Sequence, residues 1–92
     1  MKHQRHFDAG AAALREAEQI RTLIADLDRV VLNLDCDVAA EEERAGVADR
    51  SEAAYPILAR TLATRRDNLR DTIVALEQRL ANLAVVSVAE LA

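Results

Sequence analysis

Few side chains in this sequence have the type and spacing needed for chemistry. His3 and His6 stand three residues apart, which could hold a metal ion on a helix, but no cysteine or further histidine lies near them to complete a ligand set. We therefore expect a mobile N-terminal tail over residues 1–7 and no metal or other cofactor. Ser51 and Ser87 lack a neighbouring base, and no phosphate-binding loop or zinc motif is present. The sequence thus predicts a protein that is not an enzyme.

The single cysteine and the N-terminus indicate the compartment. Cys36 cannot form an internal disulfide, and its neighbours Asp35 and Asp37 should disfavour the thiolate, so we expect an unreactive surface thiol. The start MKHQRHFDAG has no apolar signal region, and no apolar run approaches the roughly 20 residues of a membrane span. We predict a cytoplasmic protein without membrane insertion.

Charges of both signs are interspersed along the chain, with 30% charged residues and a formal net charge of −4. Nucleic-acid binders concentrate Lys and Arg on one face, so this pattern argues against that function. The densest basic spot, Arg65 and Arg66, is partly neutralised by Asp67. The acidic run Glu41 to Glu43 is interpreted as solvated surface or as a contact for a basic partner.

The elements that position these residues are long helices. The chain has 92 residues, 51% of them hydrophobic but only 2% aromatic, a composition that favours packed helices. A first helix is predicted over about residues 8–45, beginning at the N-cap Asp8. Its apolar residues are spaced three and four apart, which is typical of a coiled-coil seam. They are Ala17, Ile20, Ile24, Leu27, Val31, Leu34 and Val38.

A second seam with the same spacing predicts a helix over about residues 56–84. A C-terminal tail over 85–92 should follow, as either a frayed helical end or a disordered segment. Its members are Tyr55, Ala59, Leu62, Arg66, Leu69, Ile73, Leu76, Leu80 and Leu83. A short link between two such segments predicts an all-α antiparallel two-helix hairpin, in which paired residue numbers sum to about one hundred. Only Arg66 is charged, and this register places it near Asp35 or Asp37. We interpret Arg66 as a residue that fixes register; alternatively, its methylenes lie along the seam and its charge points into water.

The break between the helices is predicted to be a turn over residues 46–55. Gly46 suits the position just after the first helix, where positive φ is needed. Asp49 and Ser51 can cap the next segment, with Glu52 completing a capping-box pair with Asp49. We expect a short helical turn from about Asp49 to Ala54, and Pro56 in the first turn of the second helix.

Apolar residues outside the two seams predict self-association. Leu23 and Val30 broaden the apolar stripe of the first helix, and Leu58 and Val74 broaden that of the second. One partner helix cannot cover such a stripe, so we expect a second hairpin to pack there as a homodimeric four-helix bundle. The alternative is that these are ordinary exposed aliphatic residues.

Several stretches carry a resemblance that heptads do not require: EEERAGVAD at 41–49, AYP at 54–56 and RRDNL at 65–69. With the segments around them, over residues 24–84, they resemble the flagellar export protein FliJ family in its alphaproteobacterial form. Relatives usually begin with a more basic segment and continue into a longer charged helix. We therefore expect a short or divergent member.

The resemblance implies a cytoplasmic coiled-coil component of flagellar type III protein export. Members of that family act with the export ATPase, like the central stalk of rotary ATPases, and with the export gate and export chaperones. The other hypothesis is a generic helical hairpin that dimerises and scaffolds an unrelated complex. The candidate partner-binding residues are Glu41, Glu42, Arg44, Gly46, Asp49, Tyr55, Pro56, Arg65 and Arg66.

Overall fold

The computed structural model is an all-α helical hairpin of two long helices, α1 (Lys2–Ala45) and α2 (Ile57–Leu91). It describes the backbone of residues 2–91 and the side chains of residues 10–85. The segment between the helices contains single turns and bends but no further helix. Contacts divide the chain into two compact units. The turn unit is Leu27–Thr72, and the terminal unit comprises the residues up to Asp26 and from Ile73 onward.

The helices extend further than the expected bounds. Residues 2–7, which we expected to be a mobile tail, are helical, and so are residues 85–91, for which we expected either a frayed helical end or a disordered tail. Once a helix has been nucleated, each added residue gains a backbone hydrogen bond. This gain explains why α1 includes Asp8, the expected N-cap, and Gly10, and why α2 continues through the β-branched residues after Leu83. The side chains of His3 and His6 lie outside the described range.

The terminal unit has a small apolar core built from both helices. Ala13, Ala17 and Ile20 of α1 are buried with Leu83 of α2. Partly buried aliphatic residues pack against this cluster, namely Ile24, Leu76 and Leu80. Ile73, at the edge of the unit, is also buried. On the surface of this unit, the carboxylate of Glu16 accepts a hydrogen bond of 3.0 Å from Arg79.

The turn unit is held by a second set of buried side chains. Val31, Leu34 and Val38 of α1 are buried, and so are Ala59 and Ala63 of α2, both with 0% exposure. The remaining aliphatic seam residues of this unit are half-buried, namely Leu27, Leu62 and Leu69. The small side chains of the two alanines allow close approach of the helix backbones. The unit therefore positions the turn residues on a closely packed support.

Candidate interaction surface at the turn

A left-handed glycine ends α1. Gly46 has φ of 71°, and its N–H donates to the carbonyl of Glu43 at 3.2 Å. The N–H of Val47 donates to the carbonyl of Glu42, also at 3.2 Å. These two bonds form the Schellman motif, which satisfies carbonyls that a helix end leaves without partners. The motif turns the chain sharply away from the axis of α1.

Two successive single turns follow. The N–H of Glu52 donates to the carbonyl of Asp49 at 3.1 Å, and the N–H of Tyr55 donates to that of Glu52 at 3.1 Å. The two bonded segments share only Glu52, so they do not build the short helical turn that we expected. The expected capping box is also wrong. The Asp49 carboxylate instead accepts bonds from the Ser51 hydroxyl at 2.7 Å and the Ser51 N–H at 2.9 Å.

The hydrogen bond from the Ser51 hydroxyl is the main cause of a lowered pKa at Asp49, and the Ser51 N–H adds to it. Pro56 lies just before α2 rather than within its first turn. Its carbonyl accepts the first helical bond, from the N–H of Arg60 at 3.1 Å, which makes Pro56 the N-cap residue. Proline lacks an N–H but keeps its carbonyl, so it serves this position without losing a bond.

Tyr55 anchors the turn to α1. Its side chain is only 4% exposed, and its hydroxyl donates to Glu42 Oε2 at 2.8 Å. Burial raises the pKa of Tyr55, and the Glu42 carboxylate raises it further. The guanidinium of Arg60 lies 5.4 Å from the centre of the Tyr55 ring, and its Nη2 donates to the carbonyl of Arg50 at 2.9 Å. These contacts connect the end of α1, the turn and the start of α2.

A five-residue ion network covers one side of the turn unit. Arg66 donates to Asp35 at 3.0 Å and to Asp67 at 3.1 Å. Arg70 pairs with Asp35 at 3.2 Å, and Arg50 pairs with Asp67 at 3.4 Å. The helix register therefore brings Asp35, rather than Asp37, to Arg66. Each carboxylate in this network has at least two arginine partners.

The network changes the ionisation of its members. Burial by itself would lower the pKa of Arg66, but its hydrogen bonds to Asp67 and Asp35 outweigh burial and raise it. Burial by itself would raise the pKa of Asp67, but the hydrogen bonds and charges of Arg66 and Arg50 together outweigh burial and lower it. Both shifts favour the charged forms that make the pair.

The structure does not gather the nine candidate residues into one site. Glu41 and Arg44 pair with each other at 2.7 Å within α1. Glu42 and Tyr55 form the buried anchor, Arg66 belongs to the ion network, and Gly46, Asp49 and Pro56 shape the turn backbone. Arg65 is exposed and has no partner within residues 10–85.

Sequence reasoning missed three arginines of this surface, of which Arg50 pairs with Asp67. Arg60 contacts the Tyr55 ring and closes the turn, and Arg70 completes the ion network. The sequence spacing could have indicated both Arg60 and Arg70. Arg60 lies one helical turn after Pro56, and Arg70 lies one turn after Arg66, where side chains share a face. The bond between Arg60 and the Arg50 carbonyl depends on the turn backbone, for which the sequence has no signal.

Two kinds of site are absent from the described residues. Within that part of the chain, no helix is long and apolar enough to cross a membrane. No group of three or more His, Cys, Asp or Glu residues in the same part is arranged to hold a metal ion.

Comparison with known proteins found no matching family model, no matching curated protein and no matching solved structure. The assignment to the FliJ family therefore stays a prediction.

Proposed function

We propose that this chain is a non-enzymatic accessory protein of flagellar type III export that acts in the cytoplasm. It works through contacts of its turn with the export ATPase, the export gate or export chaperones. One observation carries the proposal: EEERAGVAD and AYP, two stretches on which the resemblance rests, meet at the hydrogen bond between Glu42 and Tyr55. Two of the stretches that resemble the family are therefore in contact at the turn.

The turn has the properties of a preformed contact surface. Its backbone is held by the glycine motif at α1, the Asp49–Ser51 bonds and the Tyr55 anchor. Binding to a preformed surface costs less conformational entropy than binding that must order a loop. Charged side chains of both signs project from it, including Glu52 and Arg50, which are exposed. Such a surface suits a protein partner with complementary charges.

Gene deletion in the native organism tests this role. Deletion should reduce motility and filament secretion, and the intact gene should restore both. Glu52→Arg reverses an exposed charge on the turn, so it should restore them poorly at an equal protein level. The matched control is Glu18→Arg, which makes the same change at an exposed glutamate of the terminal unit and should restore them fully. If deletion leaves motility and filament secretion intact, the export role is wrong.

A second candidate function is a helical-hairpin scaffold for an unrelated complex. The observation in its favour is the exposure of large aliphatic side chains, such as Leu58 at 53% and Ile57 at 83%. Exposed apolar groups close together mark protein interaction surfaces. Normal motility after deletion, together with a stable complex containing no flagellar protein, would select this function.

A further inference from the structure

The two broad faces of the turn unit differ in how their charges are used. One face carries the ion network, in which Asp35 contacts Arg66 and Arg70. A helix turns by about 100° per residue, so Asp37 lies about 200° around α1 from Asp35. Arg65 lies about 100° back around α2 from Arg66. Because α1 and α2 are antiparallel, both rotations lead to the side of the hairpin opposite the ion network, which we name the open face. We name as its residues Val30, Asp37, Leu58, Arg65 and Leu69; the Glu41–Arg44 pair lies on the same side of α1.

The open face combines charges without partners and partly exposed aliphatic groups. Within residues 10–85, neither Asp37 nor Arg65 has a hydrogen bond or an ion pair, and both are exposed. Val30 is 39% exposed and Leu58 is 53% exposed, while Leu69 is half-buried. The face therefore carries one free anion, one free cation and an apolar surface between the helices.

We propose that the open face binds the open face of a second copy of this chain. The two-fold axis runs parallel to the helices, so both turns lie at the same end of the dimer. Each α1 then packs against the α2 of the other copy, and all neighbouring helices are antiparallel. In this arrangement Asp37 faces the partner's Arg65, and Arg65 faces the partner's Asp37.

The register of the hairpin brings these charges to one level. Asp35 and Arg66 are in contact and mark a common level along the helices. Asp37 lies two residues nearer the turn than Asp35, and Arg65 lies one residue nearer the turn than Arg66. At 1.5 Å per residue, the two charges differ in level by only about 1.5 Å, well within the reach of an arginine side chain. The same symmetry brings Val30 within about 3 Å of the level of the partner's Leu69.

Symmetry makes each contact count twice. An interface around a two-fold axis uses the same patch on both copies, so the patch must complement itself. A face with only one sign of charge would repel its copy, whereas the open face carries one charge of each sign at the same level. The ion-network face fits a second copy less well, because its charges already have partners within the chain.

Charge reversal tests the proposal on the purified protein, and the result does not depend on the export role. Analytical ultracentrifugation should show a dimer of twice the 10.1 kDa chain mass. Asp37→Arg and Arg65→Asp should each raise the dimer Kd about tenfold, because each replaces two attractive pairs with two repulsive ones. Glu43→Arg is the control: it makes the same change on the outer side of α1 and should leave Kd unchanged. Helical circular dichroism verifies folding of every variant.

Mixing the two weakened variants, Asp37→Arg and Arg65→Asp, separates contacts between chains from contacts within one chain. In a mixed dimer, the arginine introduced into the first variant faces the aspartate introduced into the second. The unchanged Arg65 of the first variant likewise faces the unchanged Asp37 of the second. Random pairing would give about twice as much mixed dimer as either homodimer. Native mass spectrometry of an equal mixture should therefore show the mixed dimer in clear excess of this statistical proportion.

A pair within one chain could not be restored by mixing, so this result would be specific to a contact between copies. A monomeric mass up to about 1 mM, unchanged Kd in both variants, or a mixed dimer at only the statistical proportion would each overturn the proposal.

Discussion

Replacement of Arg66 tests what the one charged seam position contributes to stability. Its side chain is 16% exposed and contacts two carboxylates that are themselves 34% and 44% exposed. Removing one member of a fully buried pair costs about 3–5 kcal/mol, because the other charge is left alone. That penalty does not apply here. Asp35 keeps Arg70 at 3.2 Å, and Asp67 keeps Arg50 at 3.4 Å.

The expected magnitudes follow from what each substitution removes. Arg66→Ala loses two partly exposed ion pairs, each worth up to about 1 kcal/mol, and part of a buried methylene stem at about 0.8 kcal/mol per CH₂. We expect its free energy of unfolding to fall by about 2–3 kcal/mol. Arg66→Leu loses the same pairs but places an aliphatic group on the seam, so its free energy of unfolding should stay within about 1 kcal/mol of the original.

Urea unfolding followed by circular dichroism measures both changes. All variants are compared at one protein concentration, because self-association would make apparent stability depend on it. Arg21→Ala is the matched control, since Arg21 is exposed in the terminal unit and should change the free energy by no more than about 0.5 kcal/mol. A loss above about 2 kcal/mol in Arg66→Leu would refute this reasoning and show that the ion network itself is required.

Further changes test the packing, the turn and the acid response. Ala59→Leu adds a large side chain at a fully buried position and should reduce the free energy of unfolding in urea by about 1–3 kcal/mol. Thr61 is exposed, so the control Thr61→Leu should change this free energy by no more than about 0.5 kcal/mol. Gly46→Ala meets no atom within 4 Å, so its cost is the left-handed backbone alone, about 1–2 kcal/mol in the same assay, and Gly46→Asn should cost less. The pKa of Asp67 is lower in the folded state than in the unfolded state. Its ionised carboxylate therefore contributes to stability above the unfolded-state pKa of about 3.9, and this contribution is lost as the pH falls through the folded-state pKa. Asp67→Asn should therefore flatten the fall of unfolding free energy with pH in that acidic range; an unchanged slope would contradict the role of its pair with Arg66.

Heptad spacing is a sound guide to the fold because it reports directly which side of a helix is covered. The two seams predicted a helical hairpin, and the structure is an all-α hairpin with buried Ile20, Val31, Val38 and Ile73. Helix ends were less predictable. They depend on a balance between the gain of one backbone bond and the cost of residues such as Gly10, which spacing does not measure.

Predicting the polar contacts of the turn unit would have required the helix register to within one residue. Asp35 and Asp37 were both open as partners of Arg66, yet they lie about 200° apart around α1, so an error of two residues selects the wrong one. Tyr55 was assigned to the seam as an apolar residue, and its bond to Glu42 depends on a turn geometry that no spacing encodes. Heptad spacing therefore does not predict individual contacts between polar side chains.

The turn surface and the open face can be tested separately, although Arg65 is a candidate partner-binding residue as well as a member of the open face. Glu52 projects from the turn, whereas Asp37 lies on α1, ahead of the acidic run that precedes the turn. A single chain has room to dimerise through one surface and bind an export protein through the other. If the two contacts are independent, Asp37→Arg should weaken the dimer and leave motility intact, and Glu52→Arg should do the reverse. Loss of motility in Asp37→Arg, with the dimer of Glu52→Arg intact, would instead mean that the dimer is the form that enters export, because a partner would then require two turns side by side.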